Sequence, residues 1–103
     1  QMNILIPVDD SELEDAQITL LDDVKYWVLI EFFEGKTVKT EMYQTRDEIS
    51  DWVDVVILKT QKEDLWQFME QNIAVLIAPM QRSVEDIMEA YLFKELHDVN
   101  VNQ

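Results

Sequence analysis

A chain of 103 residues with 48% apolar and 10% aromatic side chains and a single glycine is suited to one packed domain and has no room for a second core. Its 22 acids against 8 bases give a formal net charge of −14, which repels phosphate backbones and anionic membrane surfaces and argues against nucleic acid or membrane as partners. The absence of cysteine removes disulfides, thiolate catalysis and Cys-ligated zinc or iron–sulfur sites within one chain.

No apolar run reaches the length of a membrane span, and no basic region followed by an apolar core and a cleavage site opens the chain, so the expected location is the cytoplasm. Gln1 ahead of Met2 reads as an addition before the native start. The first element is Asn3-Ile4-Leu5-Ile6-Pro7-Val8, an apolar run without polar alternation that stops at Asp9 and Asp10. This pattern predicts a strand buried on both faces that delivers its C-terminal end to the surface. Five carboxylates follow between positions 9 and 15, and they read as a solvated loop. A hard cation would favour such oxygens, but the spacing lacks the glycine turn and terminal glutamate of a calcium loop.

Residues 16–21 read as a short or irregular strand and Asp22-Asp23 as a turn. Tyr26 to Phe33 is β-branched and aromatic, and Glu34-Gly35 turns it back into Lys36 to Tyr43. The result is a hairpin whose second arm is a charge-protected edge, with Val38, Thr40 and Met42 on one side and Lys39, Glu41 and Tyr43 on the other. Thr45 with Glu48, Thr60 with Glu63, and Ser83 with Asp86 have the spacing of a capping box or its Asp analogue, so three helices are predicted to begin there. The first should turn Ile49, Trp52 and Val53 inward, the second Leu65, Phe68 and Met69, and the third Val84, Ile87, Met88, Tyr91 and Leu92. Between the helices, residues 53–58 and 73–78 are further apolar runs that ask for a parallel sheet beside the first strand.

Together these elements predict an α/β fold: a mixed five-stranded sheet with three helices, laid out as a ribonuclease-H-like three-layer sandwich over residues 2–96. The tail 97–103 loses its periodicity and is expected to fray. Chemistry is sparse. A response-regulator receiver would need an aspartate where Lys59 ends the middle strand, and a nuclease would need carboxylates gathered from several strands and a basic groove. His97 is the only imidazole, which leaves no His-based triad in a monomer. Lys59-Thr60 lacks the glycines of a phosphate loop, so helix capping is the simpler account of Thr60.

The opening Met2-Asn3-Ile4-Leu5-Ile6-Pro7-Val8-Asp9-Asp10 resembles the start of the dinitrogenase iron-molybdenum cofactor biosynthesis family, the NifX-like domains that also form the C-terminal part of NifB. Tyr26 to Glu31 with Gly35-Lys36, residues 53–57, and Ser83 to Leu92 look like later pieces of the same family in the same order. The departures fall where that family's ligands would sit. Leu20-Leu21-Asp22-Asp23-Val24 replaces a His-Phe-Gly-Arg-type segment, Lys59-Thr60-Gln61-Lys62 replaces a glycine-rich loop, and Gln44-Thr45-Arg46-Asp47 replaces a stretch with glycine, histidine or cysteine. The resemblance therefore implies the family fold without its cluster-binding residues, and no catalytic, cofactor or metal ligand carries over.

The expectation is a divergent NifX-like accessory domain, not an enzyme, that binds a protein partner as an adaptor. Its contact loops would lie where the parallel strands end: Asp9, Asp10 and Glu12; Lys59, Thr60 and Gln61; and Pro79, Met80, Gln81 and Arg82. The exposed edge from Lys36 to Tyr43 is a second contact candidate. The alternative is a carrier of a metal cofactor precursor or divalent cation, although Asp9, Asp10 and Glu12 would repel an anionic cluster.

Overall fold

The computed structural model describes residues 1–99. Six strands form one mixed sheet: β1 (Met2–Val8), β2 (Tyr26–Phe33), β3 (Lys36–Tyr43), β4 (Val55–Leu58), β5 (Ala74–Ile77) and β6 (His97–Asp98), in the order β3-β2-β1-β4-β5-β6. β1 lies at the centre, antiparallel to β2 and parallel to β4. β4 and β5 are parallel, and the two outer pairs, β2 with β3 and β5 with β6, are antiparallel.

The uninterrupted apolar run of β1 is explained by its position. Alternate side chains point to opposite faces of a sheet, so Ile4, Ile6 and Val8 enter one core while Leu5 enters the other. The first core is closed by α2 (Val84–Leu92), which contributes Val84, Ile87 and Met88. The second is closed by the four-residue helix α1 (Trp66–Met69), whose Phe68 is fully buried, and by the connections carrying Leu21, Val24, Ile49 and Val53.

The expected α/β class holds, but a sheet of five strands with three helices is corrected to six strands and two α-helices among the described residues. The additional strand comes from the stretch expected to fray. His97 pairs with Ile77 and Asp98 with Leu76, while the Val99 N–H donates to the Val75 carbonyl at 3.3 Å. This pairing satisfies the outer edge of β5, and two residues are too few to show a period in sequence. Residues 100–103 of the predicted tail lie outside the described residues.

The first expected helix is only a 3₁₀ turn, Arg46–Glu48. Its Glu48 carboxylate does accept the amides of Gln44 and Thr45, at 2.8 and 3.2 Å. The chain cannot continue as a helix because it is drawn out alongside the start of β1. Asn3 Nδ2 donates to the Trp52 carbonyl at 2.6 Å, the Asp54 N–H donates to the Asn3 carbonyl at 2.9 Å, and Asp54 Oδ2 accepts the Asn3 N–H at 2.9 Å. Trp52, expected inward, is consequently 65% exposed. The second helix starts late, at Trp66, because Thr60 caps only a local turn and Glu63 is engaged elsewhere.

In the hairpin, Glu31 pairs with Lys39 and Phe32 with Thr37, which makes Val38 the extra residue of a β-bulge. Val38 is exposed as a result, although Met42 on the same arm still packs against the first core.

Candidate functional site

The three predicted contact loops follow β1, β4 and β5, which are adjacent in the sheet, so they emerge along one end of it. The loop after β1 is closed by its own backbone. The Asp9 N–H donates to the Gln17 carbonyl at 3.1 Å, and Asp9 Oδ1 accepts the Gln17 N–H at 2.9 Å. Asp10 Oδ1 accepts the Glu12 N–H at 2.9 Å, and the Glu12 carbonyl accepts from Asp15 and Ala16 at 3.0 and 2.9 Å. Both carboxylates thus hold their own turn, a common use of aspartate in loops.

The stretch 16–21, expected as a short or irregular strand, forms only two isolated bridges, one back to β1 and one to the segment after β5. Ile18 bridges to Val8 and Gln17 to Ser83, while the Ile18 N–H donates to the Arg82 carbonyl at 2.9 Å. Pro79, Met80, Gln81 and Arg82 are therefore tied to the acidic loop. Arg82 Nη1 approaches the carbonyls of Pro79 and Gln81, both at 3.4 Å, and Met80 stands 81% exposed at the surface of this joined platform.

The loop after β4 turns another way. Thr60 Oγ1 accepts the Lys62 N–H at 3.2 Å, and the segment walls a depression of about 490 Å³ with Leu20, Leu21 and Asp22. Lys59 and Thr60 are half-buried and Gln61 is exposed. Two of the three predicted loops are thus brought together, and the third faces residues 20–22, a segment not among the expected contact loops.

Sequence reasoning also missed a cleft of about 640 Å³ lined by Leu5, Arg46, Ile49, Trp52, Val53 and Ile73, with Asp47 and Asp51 at its exposed rim. Arg46 is half-buried there. Its guanidinium carbon lies 4.6 Å from the centre of the Phe68 ring and 5.9 Å from that of Trp27, and Nη1 and Nη2 donate to the side-chain oxygens of Gln67 and Gln71, each at 3.1 Å. Burial lowers the Arg46 pKa below the ordinary guanidinium value, against the opposing pull of Asp47. The only available signal was a lone cation following Thr45, which the capping pattern absorbed.

Among the described residues, no group of three or more His, Cys, Asp or Glu side chains is placed to hold a metal ion. No helix of the described residues is long and apolar enough to cross a membrane.

No protein-family model matches the sequence, and no curated protein matches it. Solved structures do match. The crystal structure of a protein from Methanocaldococcus jannaschii named "putative dinitrogenase" is 16% identical, with a TM-score of 0.75 over 96% of this chain and 95% of that one. A solution structure under the same name, from Methanococcus jannaschii, gives 0.74 at 16% identity, over 96% of this chain and 93% of that one. The solution structure of a "putative NifB protein" from Thermotoga gives 0.76 at 12% identity, over 95% of this chain and 93% of that one.

The chain shares their fold. This likeness agrees with the resemblance carried by the opening strand, the hairpin and α2, and it extends across nearly the whole length of both partners. At 12 to 16% identity it concerns architecture, and no residue's role passes from those proteins to this one.

Proposed function

We propose that this chain is a NifX-like accessory domain that acts without catalysis, by docking a protein partner on the platform formed by residues 9–18 and 79–83. The fold shared with the proteins named for dinitrogenase and NifB supports the first part of this reading. The observation that carries the second is the Ile18 to Arg82 hydrogen bond, which fixes two loops into one surface beneath the protruding Met80. An exposed, adaptable thioether on a braced loop is suited to filling a partner's pocket, and a held loop loses little entropy on binding. Asp9 and Asp10 support the platform from within, since each already accepts a backbone N–H.

The test compares the wild-type chain with a Met80→Asp/Arg82→Glu variant in affinity capture from its source cells. One partner retained in stoichiometric amount by the wild type and lost by an equally folded variant supports docking; equal capture rejects the platform. Anaerobic titration with iron–sulfur and iron-molybdenum cluster precursors, and separately with Mg²⁺, Ca²⁺ and Fe²⁺, tests the carrier alternative. Stoichiometric cluster uptake, or cation binding abolished by Asp9→Asn with Asp10→Asn, would replace the adaptor reading by a carrier.

A further inference from the structure

Arg46 occupies an unusual position for a cation in this chain. With 22 acids available, a half-buried guanidinium would be expected to find a carboxylate, yet among the described residues none lies within 4 Å of it. Its hydrogen bonds to Gln67 and Gln71 orient the group without neutralising it, because both acceptors are neutral amide oxygens. Arginine carries five N–H donors, so the remaining ones have no acceptor among the hydrogen bonds of the described residues. The Phe68 and Trp27 rings hold the guanidinium in place, and it lines the 640 Å³ cleft whose other walls include Leu5, Ile49, Val53 and Ile73. That volume is in the range of small-molecule sites, which span about 300–1,000 Å³.

We propose that this cleft binds a small monocarboxylate with an apolar body, its carboxylate on the unused donors of Arg46 and its hydrocarbon or aromatic part against Ile49 and Trp52. The rim selects the charge. Asp47 and Asp51 are exposed at the mouth, where they repel a phosphate dianion more than a single carboxylate. The walls select the body: Trp52 is held at the cleft by the Asn3 bond to its carbonyl, leaving its indole open to a ring or chain. This site is separate from the loop platform and does not depend on the adaptor reading.

The experiment titrates the full chain with 4-phenylbutyrate, its neutral amide and 4-phenylbutyl phosphate, followed by tryptophan fluorescence and by amide chemical shifts. The carboxylate is expected to saturate, with shifts confined to residues 46–53 and 71–73, and the amide and phosphate to bind at least about tenfold more weakly. Arg46→Gln is expected to abolish binding while retaining a cooperative melt. Trp52→Ala, which keeps the backbone carbonyl bonded by Asn3, is expected to weaken binding and provides the test should Arg46→Gln fail to fold. Absence of saturable binding by the carboxylate, equal affinity for the amide, or unchanged affinity in either variant would overturn the proposal.

Discussion

The carboxylate of Glu63 accepts the backbone N–H of Leu21, 42 residues away in sequence, and so fastens the segment before β2 to the segment before α1. This bond explains why the Thr60–Glu63 spacing does not start a helix: the glutamate that would cap it is engaged across the second core. Charge-assisted bonds of partly buried groups are worth about 1.5–3 kcal/mol, so Glu63→Ala should lower stability by that order, and Glu63→Gln, which keeps an acceptor, by less. Urea unfolding with an unchanged m-value is the measurement. An alanine variant as stable as wild type would mean that the 20–22 turn is held by packing alone.

The elements legible in the sequence were those whose pattern is set by burial. The runs at Ile4 to Val8 and Val55 to Leu58 are apolar because β1 and β4 are covered on both faces, that at Val75 to Ile77 because β5 is covered on one face and partly on the other, and Val84, Ile87 and Met88 recur at helical spacing because α2 covers one face of the sheet. What was not legible depends on long-range hydrogen bonds. Nothing local to Asp54 indicates that it clamps Asn3, and nothing local to Glu63 indicates Leu21, yet the first bond draws the chain out of the first expected helix and the second delays the next to Trp66, which leaves two α-helices among the described residues where capping spacing suggested three. The candidate site divides similarly: strand ends could be located from the apolar runs, but the bridges through Gln17 and Ile18, and the Arg46 cleft, arise only when distant segments meet.

Two of the three capping-box spacings should separate by experiment. Ser83 Oγ accepts the Asp86 N–H at 3.1 Å at the start of a nine-residue helix, so Ser83→Ala should cost about 1 kcal/mol. Thr60 Oγ1 serves a turn only, and Thr60→Ala should stay within about 0.5 kcal/mol of wild type. Thermal unfolding of the two variants side by side checks the difference. Equal losses would mean that the Thr60 turn supports the core as much as the helix cap does.

The hairpin turn offers a stabilising change. Glu34 and Gly35 both have positive φ, 50° and 80°, as the central residues of the favoured two-residue hairpin turn do. Glycine adopts this freely and glutamate does not, so Glu34→Asn should raise stability, by up to about 1 kcal/mol. Gly35→Ala should lower it by about 1–2 kcal/mol for conformational reasons, since the added Cβ would sit 3.7 Å from Leu92 Cδ1, an ordinary contact. Opposite shifts in melting temperature are expected; a destabilised Glu34→Asn variant would show that the glutamate has a compensating contact.

Alkaline stability should depend on Tyr91, whose ring meets that of Phe32 edge to face at 5.4 Å. Burial first, and the negative charge of Asp54 second, raise its phenol above the ordinary 10.0. Below pH 10 the phenol is protonated in both the folded and the unfolded chain, so this contribution to stability is fully present there. As the pH rises past 10 the unfolded chain ionises first, and the contribution is lost as the pH passes through the higher folded value. Tyr91→Phe removes that proton, so its stability should fall less steeply above pH 10 than that of the wild type. Tyr43 is shifted upward too, by burial and then by Glu41, so Tyr43→Phe serves as the comparison for the same slope. Urea midpoints measured from pH 8 to 11 provide the test, and a Tyr91→Phe curve parallel to wild type throughout would show that the phenol ionises without resistance from the fold.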